Sequence, residues 1–152
     1  MKKIILTLLV SLLSGQDFIE GEKYNYNVFF GPIKMGKASL ETKPIEFINN
    51  QEVYHFNFSV KTSKLGDRLY KIRDEITVYM NSEDFSLLKV TNKIHEGLYK
   101  KNHNAIFDIN SNNIVTAKKK IKIDKAYSPL SIIYSLRNEL LNINDIYKYH
   151  IY

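Results

Sequence analysis

A chain of 152 residues is long enough for one domain and too short for two. With 44% apolar and 25% charged residues it can bury a core, which excludes a fully disordered chain, and its lack of cysteine excludes disulfides, thiolate chemistry and a lipid-modified cysteine after a leader. The formal charge of +6 loses two units if Lys2 and Lys3 leave with a leader, and so small a surplus implies no particular partner, nucleic acid included.

Met1-Lys2-Lys3 forms a short positive start. Ile4 to Leu13 is an apolar run broken only by Thr7 and Ser11, and Ser14-Gly15 supplies small residues for cleavage. This is the pattern of a secretory signal over residues 1–15. The run is shorter than the roughly 20 apolar residues of a membrane-spanning helix, and no later stretch reaches that length. The reading is therefore an exported protein with one β-rich domain over residues 21–152.

From Glu22 the pattern turns to period two. Tyr24, Tyr26, Val28 and Phe30 alternate with polar residues, Gly31-Pro32 marks a turn, and Ala38, Leu40 and Thr42 form the second arm of a hairpin. Pro44 to Gln51 reads as a loop. Tyr54, Phe56, Phe58 and Val60 mark a third strand, broken by Lys64-Leu65-Gly66-Asp67. A fourth strand carries Tyr70, Ile72, Ile76, Val78 and Met80, and a fifth carries Leu88, Val90 and Ile94. Gly97 ends that strand, Tyr99 to Asp108 is a sixth, and Ile114 to Ile123 a seventh. The abundance of Tyr and Phe, 11 and 8 with no Trp, suits strands.

One helix is predicted. Ser128 suits an N-cap and Pro129 the first helical position, and Leu130, Ile133, Leu136 and Leu140 recur at helical spacing. Ile146 to Tyr152 alternates again and reads as a last strand. It ends in mid-pattern, as a true edge strand or a shortened chain would. The predicted fold is mainly β: a curved antiparallel sheet, half-barrel or open barrel, of about seven to eight strands with one helix from the carboxy-terminal half packed on it.

Gly21-Glu22, Tyr24, Tyr26 and Val28, followed by Gly31, Ile33, Gly36, Ala38 and Leu40, resemble the opening of an exported bacterial family known as domain of unknown function 3108. Tyr70 to Tyr79 resembles that family's strand with a central Asp, here Asp74. Ser128-Pro129-Leu130-Ser131 through Tyr134 to Arg137 resembles its helix. The resemblance implies export in Gram-negative bacteria, to the periplasm or the outer membrane, and a β-rich fold near the half-barrel lipid carriers. Its members continue for several more strands, which implies truncation at Tyr152. It brings no catalytic residues.

The motifs for chemistry are sparse. Gly31-Pro32-Ile33-Lys34-Met35-Gly36 lacks the helix and the Gly-Lys-Ser/Thr ending of a phosphate loop, and no serine sits in a nucleophile elbow. The sequence calls for no cofactor and no metal. His95 and His103 would approach each other only if residues 94–96 pair with 102–104, with Glu96 the one nearby third ligand. Lys118, Lys119, Lys120, Lys122 and Lys125 read as a solvated strand edge. Asp74 falls among Ile72 and Ile76 on an apolar face, and Arg137 beside the helix stripe, so the two are expected to form a structural ion pair docking the helix.

Tyr24, Tyr26, Phe56, Phe58 and Tyr134 are the candidate lining of a ligand pocket, since aromatic rings give large contact area at small entropic cost. The expected function is non-enzymatic binding or carriage of a lipid-like apolar ligand. The alternative is an envelope assembly factor meeting a protein partner at an exposed sheet edge such as Ile146 to Tyr152.

Overall fold

Alternating apolar and polar residues bury one face of each strand, and short turns keep successive strands adjacent and antiparallel. The computed structural model describes residues 20–48, 50–108, 111–138, 144 and 146–151, with residues 137 and 138 described by their helical backbone alone. The leader over residues 1–15 lies outside the described residues. The elements in order are β1 (Lys23–Phe30), β2 (Ile33–Thr42), β3 (Glu46–Ile48), β4 (Gln51–Thr62), α1 (Lys64–Leu69), β5 (Arg73–Asn81), β6 (Leu87–Glu96), β7 (Tyr99–Asp108), β8 (Asn113–Thr116), β9 (Lys120–Lys122) and α2 (Pro129–Asn138). The sheet runs β1-β2-β4-β5-β6-β7-β8-β9, with β3 paired to β4 off that path. Every pairing is antiparallel, and β1 and β9 do not meet, so the sheet is open. The mainly β, open antiparallel architecture with a helix in the second half is the one the strand pattern predicts.

The departures from the predicted elements are local. The first hairpin turns at Gly31-Pro32 as expected, and β2 begins already at Ile33, because Gly31 takes a positive φ of 58° and turns the chain within two residues. The loop after Pro44 contains β3, which folds back on β4 around Asn50 at φ 62°. The break at residues 64–67 is the helix α1, whose N-cap Ser63 accepts a hydrogen bond from the Gly66 amide at 3.1 Å. The expected seventh strand is two, β8 and β9. Thr116 Oγ1 accepts the Lys119 amide at 3.0 Å and turns the chain between them. Lys118, Lys119, Lys120 and Lys122 are exposed at that edge, as expected of lysines that block edge pairing.

Residues 146–150 form no strand, which corrects the expected last strand. The Tyr127 amide donates to the His150 carbonyl at 2.9 Å, the rings of Tyr127 and Tyr149 meet edge to face at 4.8 Å, and the Tyr149 hydroxyl lies 3.3 Å from Ser135 Oγ on α2. These contacts and an isolated parallel bridge between Tyr127 and Ile151 tie the segment to α2 and its lead-in in place of a strand ladder.

The core lies between the sheet and α2. From β9 the chain returns across the sheet: the Leu87 amide donates to Ala126 at 2.8 Å, and Ala126 is fully buried. Ser128 and Ser131 then cap α2 reciprocally, the Ser128 amide donating to Ser131 Oγ at 2.6 Å and the Ser131 amide to Ser128 Oγ at 3.1 Å. Thus anchored, α2 lays Tyr134 on Phe56, with ring centroids 4.0 Å apart. Leu40 on β2, Val78 and Met80 on β5, Leu87 and Val90 on β6, and Ile114 on β8 belong to the same buried cluster.

Candidate functional site

The face of the sheet that carries Phe56, Val78 and Val90 is here called the inner face. Strand register divides it into transverse rows. One row passes through Thr42, Phe56, Val78, Val90 and Ala105, all buried under α2 and its flanks. The next row, through Tyr24, Leu40, Phe58, Ile76, Asn92 and His103, is buried only at Leu40. Beyond it, Ala38 is buried, while Tyr26, Val60, Asp74 and Ile94 are half-buried. Half of the inner face is therefore packed core, and the other half is an aromatic and aliphatic strip retaining solvent contact.

This division sorts the five candidate lining residues. All lie on or against the inner face, but Phe56 and Tyr134 are stacked together in the core, at 0% and 5% exposure. Tyr24, Tyr26 and Phe58 pack beside the core and remain half-buried. The three belong to the partly open strip. Phe58 sits centrally in it, between Leu40 on β2 and Ile76 on β5.

The strip ends in polar groups. Asn92 is directly opposite both Ile76 and His103, and its side-chain oxygen is a buried acceptor with no hydrogen-bond partner among the described residues. Orphan acceptors of that kind are uncommon in folded proteins, because desolvating one costs about 1–3 kcal/mol. One row further, the β5–β6 ladder opens between Glu75↔Lys93 and the Ile72↔Glu96 bridge. Asp74 fills the gap: its Oδ1 accepts the His95 amide at 2.9 Å. Its neighbour is Glu96, whose carboxyl is pushed above its ordinary value by burial, and further by the charge and hydrogen bond of Asp74.

The expected partner of Asp74, the Arg137 side chain, lies outside the described residues. What the sequence did not offer was a second acid beside Asp74. Glu96 is that acid, considered earlier only as a third ligand for two histidines. The signal that would have found it is the turn at Gly97: once β6 and β7 pair immediately around it, Glu96 falls opposite Tyr99 and beside Ile72.

The same register separates the histidines. His95 is opposite Lys100 and His103 opposite Asn92, so residues 94–96 pair with 99–101 and not with 102–104. Being an odd number of strand positions from the Asn92 row, His95 faces outward while His103 faces inward. Among the described residues no group of three or more His, Asp or Glu side chains is placed to hold a metal ion. No helix among them is long and apolar enough to cross a membrane.

Comparison with curated proteins and with solved structures finds no match. A family model does match, over residues 25–152, which takes in every described strand from the middle of β1 onward and both helices. The chain thus belongs to the family described as protein of unknown function (DUF3108).

Proposed function

We propose that the chain is an exported, non-enzymatic binding module that holds a lipid-like apolar molecule against the open half of its inner face. The observation that carries this reading is the half-buried strip of Tyr24, Tyr26, Phe58 and Ile76 beside a packed core, ending at the buried oxygen of Asn92, which has no hydrogen-bond partner among the described residues. An apolar chain along the strip would remove the remaining aromatic surface from water. A hydroxyl or amide on its polar end would satisfy Asn92. Export to the periplasm or the outer membrane of a Gram-negative cell rests on the leader pattern of residues 1–15 and on the family resemblance.

The test is expression with the native leader, purification from the periplasm without detergent, and mass spectrometry of an organic extract. The expected result is a stoichiometric apolar molecule, greatly reduced in Phe58→Glu, with the variant's folding checked by circular dichroism. A clean extract from wild-type protein would sink the carrier reading. A second reading, a protein partner that adds a strand to a free sheet edge, is favoured by β1, an eight-residue strand paired on one side only among the described residues. It expects concentration-dependent association or a bound protein in place of an extractable ligand.

A further inference from the structure

In an antiparallel meander, alternate connections lie at the same end of the sheet. Here three share one end: the Gly31-Pro32 turn between β1 and β2, the helix α1 between β4 and β5, and the Gly97-Leu98 turn between β6 and β7. Each presents large apolar side chains to solvent. Phe30 is 67% exposed, Leu69 is 73% exposed and Leu98 is fully exposed, with Phe29, Leu65 and Tyr99 beside them. Single exposed apolar residues need no explanation, but three adjoining loops each tipped with them form a pattern.

The tips are braced against one another. The Ser63 amide donates to the Met35 carbonyl at 2.7 Å, which ties α1 to the first hairpin. A Cβ at Gly66 would come within 2.4 Å of that carbonyl, so only glycine admits the contact. At the other side, the Gly97 amide donates to Lys71 at 2.7 Å and the Tyr70 ring lies against Gly97. The Arg73 guanidinium holds Asp67 of α1 through paired contacts at 2.6 and 2.9 Å.

Behind the tips, on the outer face, register sets cations directly opposite one another. Lys37 faces Lys61, and Lys61 faces Arg73. Like charges in that position repel and weaken the sheet. Arg73 has Asp67 as partner, but Lys37, Lys61 and Lys100 make no ion pair among the described residues. Two clefts at this end, one containing Lys37 and Lys61 and the other Arg73, Lys93 and Lys100, have no carboxylate among their described lining residues, though Lys93 is paired with Glu75 at 3.2 Å.

We propose that this end of the sheet docks on an anionic phospholipid bilayer, with Phe30, Leu69 and Leu98 entering the headgroup–acyl boundary and the lysine row meeting the headgroup phosphates. Separate protruding apolar tips suit a soft surface that closes around each of them, and the cations flanking them supply the charge complementarity for acidic lipid. The inference stands apart from the ligand reading, since it uses the strand ends and the outer face instead of the inner one.

The experiment is co-flotation of the purified protein, its amino terminus identified by mass spectrometry, with vesicles of phosphatidylcholine alone or mixed with phosphatidylglycerol. Binding is expected to the mixed vesicles, weakened at least about tenfold in Phe30→Ser/Leu69→Ser/Leu98→Ser, in Lys37→Glu/Lys61→Glu, and in high salt. All the altered side chains are exposed, and circular dichroism melts of each variant serve as the check on folding. No flotation, or equal flotation of wild type and tip variant, overturns the proposal. So does displacement by inorganic phosphate at constant ionic strength, which would make the lysine row a site for free anions. Concentration-dependent dimerisation lost in the tip variant, without flotation, would assign the tips to a second copy of the chain and also overturn it. Loss of the extractable ligand in Phe58→Glu with vesicle binding intact would separate this surface from the inner-face site.

Discussion

Phe56 lies against Tyr134 with no exposed surface, and paired strands on both sides prevent the backbone from closing around a smaller residue. Phe56→Ala should therefore cost about 3–5 kcal/mol in urea unfolding, whereas the half-buried Phe58 should lose visibly less on the same change. Equal losses would mean that the strip is core as well. Glu96 gives a pH-dependent counterpart. Its carboxyl titrates above the ordinary glutamate value because it is partly desolvated beside Asp74. The stability it contributes is thus fully present below the unfolded-state value and lost as pH rises through the folded-state one. Glu96→Gln should raise the melting temperature more at pH 7 than near pH 4, because the neutral amide removes the charge that burial and Asp74 oppose. A variant that melts lower than wild type at pH 7 would show that Glu96 is held by attraction and not by repulsion. Asp74 was legible in the sequence as a polar residue on an apolar face. Its partners were not, because the His95 amide and the Glu96 carboxyl reach it only through the β5–β6 register.

At the scale of elements, the helix α2 shows how far local signals reach. Ser128 and Pro129 mark its start in the sequence, and the structure adds the return bond from Ser131, both serines being buried. Ser131→Ala removes that return acceptor and leaves the Ser128 amide without it, so we expect a loss of about 1–2 kcal/mol by thermal or urea unfolding, near the upper range for a cap. A loss below about 0.5 kcal/mol, the figure for an exposed cap, would show that the box is dispensable. The short elements were less legible. β3 spans only three residues, all exposed, so there is no period to read. The helix α1 spans six and is held by its Ser63 cap and by contacts between its Gly66, Met35 and Thr62. Ile146 to Tyr152 shows the opposite error. Its alternation is that of a strand, yet Tyr149 finds its partners on Tyr127 and α2.

At the scale of the molecule, the chain is an open sheet with a core under one half of its inner face, a partly open aromatic strip on the other half, and an apolar, cation-backed end. Ligand extraction and vesicle flotation probe the last two separately, so either can fail without the other. The sequence alone determined the mainly β class, the antiparallel order, the position and cap of the main helix and the family resemblance, because period-two alternation, turn glycines and capping serines act within a few residues of one another. Tertiary structure decided which aromatics are core and which stay half-open, which acid lies beside Asp74, and that three distant loops share one edge. Those outcomes depend on register and on where α2 comes to rest. Both are set by packing between segments far apart in the chain, which no local pattern encodes.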